Sequence, residues 1–199
     1  PKFAIMNPEY TYSVDSYHTA AGTVDIMSHT MENYFTLNDG AYLNDRFAEG
    51  ILKTCIKYGP IAIKESDNYE ARSNLMWANS WAINGLISAG KSTEWSVHAM
   101  EHELSALRDI THGVGLAILT PAWLEYCLDD ETSEKISTFG YNVFDIEKTD
   151  SQIDDAKKAI EALRNFLESL GINLSLKEEG FSEEDLPIMA KNCLDNKNK

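Results

Sequence analysis

Apolar residues recur at three- and four-residue steps over most of this chain, a period that predicts helices. The clearest case opens at Thr149-x-x-Gln152. Its stripe of Ile153, Ala156, Ile160, Leu163, Leu167 and Leu170 ends at Gly171, a residue suited to stopping a helix. Leu75, Met76, Ala78, Ala82, Ile83 and Leu86 predict a helix over 69–88, with Asp67-x-x-Glu70 as a capping box. Trp77 and Trp81 lie one turn apart on it and read as core, with the lining of an apolar pocket as the alternative.

The same pattern predicts a helix over 19–36, ending at Asn38-Asp39-Gly40. Another spans 41–58, with Gly59-Pro60 as a break and a short continuation to Lys64. Further helices are expected over 94–108, over 112–128 with a bend at Pro121, and over 132–144. A last one, over 183–194 with Ser182 as cap, precedes a polar tail expected to fray. Only Lys2-Phe3-Ala4-Ile5-Met6 reads as a strand, and no strand follows to pair with it. The expectation is an all-α helical bundle over 19–199. Residues 1–18 are expected to be a strand and linker left from a preceding part of a larger protein that held the rest of the sheet.

Composition narrows the functional classes. The 199 residues are 43% apolar and 25% charged, as in an ordinary globular domain, and no apolar run reaches membrane-spanning length. A net charge of −15 argues against nucleic acid or an anionic membrane as partner. Cys55, Cys127 and Cys193 are widely spaced and form no CxxC pair, which favours unpaired thiols in a reducing, cytoplasmic compartment and a role as small core residues.

The candidate chemistry lies in two stretches. WSVHAMEHELSALRDITHGVGLAILTPAW holds His98, His102 and His112. His98 and His102 are one helical turn apart; His112 would lie about 21 Å from His98 on a straight helix. Asp109-Ile110-Thr111 before Gly113 reads as a break, with Thr111 as the next cap, so the chain can fold back and bring all three imidazoles to one point. TAAGTVDIMSHTMENYF places Asp25 and His29 on one helix face. One carboxylate with several imidazoles suits zinc or ferrous iron, and either ion can act as a Lewis acid. The blander reading is that helical histidines are ordinarily surface or satisfied core residues. Against it, these sit among apolar neighbours, where a desolvated histidine or aspartate needs a partner.

Several signatures are missing. No glycine-rich dinucleotide turn follows a strand, and neither a phosphate loop nor a GxSxG elbow occurs. His102-Glu103 is followed at position 106 by Ala106, so the HExxH protease pattern fails.

Both stretches closely resemble the two signatures of the iron-containing (group III) alcohol dehydrogenases, most of all the clostridial NADH-dependent butanol dehydrogenases. NPEYTY, RFAEGILKTCIKYG, YEARSNLMWANSWAINGL and NVFDIEK fit as well. The resemblance implies a C-terminal helical domain whose N-terminal partner domain binds NAD(P)H. It also implies a small alcohol or aldehyde substrate and a dimer of the full-length protein. By motif, the ligands of a divalent metal, Fe2+ or Zn2+, are Asp25, His29, His98 and His112. Helical spacing alone would have recruited His102 beside His98. The resemblance instead places His102 near the nicotinamide, as the residue that relays a proton. Thr111 stands where many members have proline, which implies a changed turn. Without the cofactor domain, the chain alone is expected to bind metal and not to oxidise alcohols. Two rivals remain: a polyol dehydrogenase or other relative on the same architecture, and an inactive helical module that keeps its histidines passively.

Overall fold

The computed structural model describes residues 2–36 and 40–197. A short 3-10 helix, Pro8–Thr11, leads into α1 (Ser16–Tyr34), α2 (Tyr42–Lys64), α3 (Tyr69–Ile83), α4 (Ser96–Arg108), α5 (His112–Cys127), α6 (Ser133–Val143), α7 (Gln152–Ser169) and α8 (Asp185–Lys197). Among the described residues no helix is long and apolar enough to cross a membrane.

Two helices organise the rest. α5 is apolar nearly all round, as a helix must be when neighbours cover every side, and it packs on α1, α4 and α7. α1 packs on α2, α3 and α5, and buries Val24, Met27, Met31 and Tyr34. Only a stripe through Gly22, Asp25 and His29 stays partly open on its second half. α7 closes the far side with the stripe expected of it, burying Ala156, Ile160, Leu163 and Leu167 completely or nearly so. Each fully buried leucine contributes about 1.5–3 kcal/mol of hydrophobic stabilisation.

Element boundaries depart from expectation where packing outweighs local signals. α2 runs unbroken through Gly59 and Pro60. A Cβ on Gly59 would lie 2.7 Å from Thr23, so the glycine lets α2 press against α1, and that contact holds the helix through the proline. α5 likewise continues through Pro121. α3 is capped by Asn68, whose side chain accepts from the Ala71 amide, and not by Asp67. It ends at Ile83, where Asn84 caps it and Gly85 takes a left-handed φ of +88°. Thr111 stands at the start of α5 without a side-chain capping bond. Ser182 does not accept at α8; its amide and hydroxyl donate to Asp185. α8 itself docks on α4, with Arg108 paired to Asp185 at 2.9 Å and Met189 buried. The expected stop at Asn38-Asp39-Gly40 and the end of the frayed tail lie outside the described residues, apart from Gly40 and the helical 195–197.

Residues 2–6 form no strand. Phe3 and Ile5 are 81% and 83% exposed, and no second strand occurs among the described residues to take up their backbone groups. Of the two tryptophans, Trp81 packs partly buried against the core, whereas Trp77 is less buried than a core role requires. Trp77 is 57% exposed and stacks edge-on against Trp81, and both line a groove of about 260 Å³ with Phe47, Ile51 and Ile87. Cys55 is fully buried, whereas Cys127 and Cys193 are only half-buried.

Candidate metal centre

The partly open stripe of α1 faces the start of α4 and the start of α5. Gly113 sets the approach of α5. A Cβ there would lie 2.0 Å from the Ala21 carbonyl oxygen, so only glycine allows the first turn of α5 to touch the α1 backbone one turn before Asp25. Asp109, at a left-handed φ of 54°, ends α4 and turns the chain back.

The result is convergence. The Nε2 atoms of His29, His98 and His112 lie 3.5, 3.9 and 3.7 Å from one atom, Asp25 Oδ1. Donors about 2.1 Å from a tetrahedral ion lie about 3.4 Å from one another, so small rotations would close this set on a single cation. Two of the inward atoms, Asp25 Oδ1 and His98 Nε2, are buried without a hydrogen-bond partner, as is His29 Nδ1. Buried polar atoms are normally satisfied, and each orphan costs about 1–3 kcal/mol. The donor set therefore fits a borderline divalent metal both in chemistry and in its unmet need for a partner. Burial, and next the neighbouring His98, lower the pKa of His29, which favours the neutral imidazole that a metal requires.

His102 lies outside this cluster. Its exposed ring stacks on His112 at 5.7 Å with 28° between planes, one turn along α4 from His98. Glu101, His102 and His112 form a second group of neighbouring donors.

Three residues at the centre escaped the sequence reading. Glu32 accepts from the His98 amide at 2.9 Å and lies 3.3 Å from His98 Nδ1. Glu101 contacts His112 Nδ1. Trp95 sets its ring edge-on to His29 and His98 at 5.1 and 5.0 Å, from a left-handed backbone with φ 52° that costs a non-glycine residue about 1–2 kcal/mol. The ring forms an apolar wall against the donors. A signal for the glutamates was present: His29-Thr30-Met31-Glu32 and His98-Ala99-Met100-Glu101 repeat one H-x-M-E pattern. Each glutamate serves a histidine of another segment or turn, which spacing within one helix does not show.

Asp25 also lines a cavity of about 270 Å³ with His18, Gly22, Arg72 and Met76. Another of about 480 Å³, walled by Phe35, Trp123, Leu124 and Ile136, touches the cluster only through Glu32.

Fold and donors together define a helical domain built around three imidazoles and one carboxylate. The chain belongs to the Fe-containing alcohol dehydrogenase family: the model of that family's C-terminal part matches residues 19–199. It is 55% identical to NADH-dependent butanol dehydrogenase A of Clostridium acetobutylicum, over 98% of this chain and 50% of that protein. It is 42% identical to the NADPH-dependent aldehyde reductase YqhD of Escherichia coli, over 96% of this chain and 49% of that protein. The solved substrate- and cofactor-free form of YqhD superposes with a TM-score of 0.94 at 38% identity, covering 100% of this chain and 52% of the other. An NADH-dependent butanol dehydrogenase A of Thermotoga maritima gives 0.90 at 36% identity, covering 98% and 48%. The chain thus spans about half the length of the relatives it matches.

Proposed function

We propose that this chain is the metal- and substrate-binding domain of an NAD(P)H-dependent alcohol dehydrogenase that interconverts a small primary alcohol, such as butanol, and its aldehyde. One observation carries the reading: three Nε2 atoms meet at Asp25 Oδ1, with two of the four donor atoms buried and unpartnered. Asp25, His29, His98 and His112 would hold a divalent metal, ferrous iron or zinc. When bound, that ion supplies Lewis acidity toward a substrate oxygen. The activities after which these relatives are named point to butanol and to a nicotinamide as electron carrier.

The chain's own residues define the remaining roles. His102 is assigned the proton relay beside the nicotinamide; its exposed ring, stacked on His112, supports that role. Trp95 packs its ring edge against His29 and His98 and gives the site one apolar side. A phosphorylated or acidic substrate would need free cations at the site. Lys91 is instead buried against Asp45, Arg108 pairs with Asp185, and Arg72 donates to Thr19, Val14, Ser66 and Ala62. That favours a small, mostly apolar alcohol over a phosphorylated or acidic substrate. A cytoplasmic setting accords with three unpaired thiols.

Metal analysis of anaerobically prepared protein tests the reading. About one metal per chain is expected in the wild type and in His102→Ala, and loss in His98→Ala. Equal retention in all three would favour a passive helical module.

A further inference from the structure

Glu101 is the least expected side chain near the centre. It is a carboxylate with 0% exposure, set among apolar residues of α4 and α5, where an ion without partners is strongly disfavoured. Two groups face it. One oxygen accepts from the Ser105 hydroxyl at 2.5 Å, and the other contacts Nδ1 of His112. Its seat exists because position 115 is glycine: a Cβ there would lie 2.7 Å from both Cγ and Oε1 of Glu101. The buried carboxylate, its serine and the glycine that leaves room for it form one unit aimed at the outer nitrogen of a single ring.

We infer that Glu101 is a positioning residue for His112: it holds the proton on Nδ1, so that the Nε2 lone pair points at Asp25 Oδ1. This rests on the metal reading above and extends it to residues outside the four donors. An imidazole has one N–H donor and one lone-pair acceptor when neutral, and the partner of one nitrogen decides which is which. A histidine side chain free in water favours the proton on Nε2, the arrangement that would block coordination. An acceptor at Nδ1 reverses that preference, fixes the ring plane and makes Nε2 a stronger ligand. Glu32 stands in the same relation to His98 but spends its best bond on the His98 amide, so the effect is concentrated at His112.

Two measurements on the intact protein decide the matter. Nitrogen-15 NMR of the metal-free form reads the tautomer of His112 directly: Nδ1–H is expected in the wild type and in Glu101→Gln, whose amide oxygen still accepts, and Nε2–H in Glu101→Ala. Cobalt(II) affinity, followed by its visible d–d bands against a competing chelator, is expected to fall about 10–100-fold in Glu101→Ala. Gly115→Ala, which leaves every donor in place and only displaces the carboxylate, is expected to lose affinity in the same direction. Should Glu101→Ala fail to fold, Gly115→Ala keeps both measurements available. A tautomer unchanged by either alanine variant, or cobalt affinity equal to the wild type in both, overturns the inference. Wild-type protein that takes up no cobalt overturns the metal reading itself, and this inference with it.

Discussion

At the scale of single residues, space decides more than side-chain character. Gly22, on the open stripe of α1, and Gly113, pressed on the neighbouring Ala21, answer in opposite directions. Nothing stands within 4 Å of a Cβ on Gly22, whereas one on Gly113 meets the Ala21 backbone, which cannot move aside cheaply. Gly22→Ala should stabilise by about 0.5–1 kcal/mol through helix propensity. Gly113→Ala should destabilise by about 1–3 kcal/mol or more and weaken metal binding, since His112 rides on the displaced turn. Urea midpoints of the two variants check the pair; equal shifts would mean that α5 does not depend on this contact. The thiols offer a second test. Burial pushes the Cys55 thiol up to about 12, while Cys193 is half-buried near the end of the chain. A disulfide reagent at pH 8 should modify Cys193 within minutes and Cys55 only after denaturation. The four side chains that converge on one point are the set the motif resemblance implies; helical spacing alone would have added His102. Glu32 and Glu101 were not legible, because helical spacing tells which residues share a face and is silent on which ring of another segment they meet.

At the scale of elements, the α6–α7 hairpin shows how one carboxylate ties a connection down. The buried Asp155 accepts from the Thr149 amide at 2.7 Å, the Thr149 hydroxyl at 2.8 Å, the Tyr141 hydroxyl at 2.7 Å and Lys158 at 3.2 Å. The Thr149 amide is the largest cause that holds this carboxyl well below the usual aspartate range, followed among the lowering groups by Tyr141. A depressed folded-state value stabilises the fold above the unfolded value of about 3.9 and loses that contribution as pH falls through the folded one. Asp155→Asn should therefore be less stable than the wild type at pH 7, with the gap narrowing between about pH 4 and pH 2. Urea unfolding at pH 7 and pH 3 measures it, and a gap that widens on acidification would contradict the assignment. Helix identity here was readable from the apolar period; several ends were not. Gly59-Pro60 looks like a stop until α1 is known to lie against Gly59. Asn84-Gly85 is a stop that the apolar pattern, running on to Leu86, conceals.

At the scale of the whole molecule, three of the six buried side-chain atoms without partners among the described residues meet in one place. A body of net charge −15 gathers Asp25, Glu32 and Glu101 around three histidines, and leaves Asp25 Oδ1 and His98 Nε2 buried without partners. A cation that binds only this folded arrangement must stabilise it by mass action, about 2.7 kcal/mol at a free concentration 100 times its Kd. For a domain of this length, that corresponds to a rise in Tm of roughly 5–10 °C. Two causes would raise Tm in the same sense: coordination at the centre and general neutralisation of a strongly acidic surface. They separate by ligand preference. Imidazole nitrogens select zinc or ferrous iron over magnesium, which takes oxygen donors and keeps its water, whereas surface screening treats the divalent ions alike. Zinc or iron should thus raise Tm where magnesium at equal concentration does not, and Asp25→Asn should abolish the rise while leaving the surface charge almost unchanged. A magnesium shift as large as that of zinc, or a zinc shift that survives Asp25→Asn, would place the effect on the acidic surface and leave the converging donors without a role in stability.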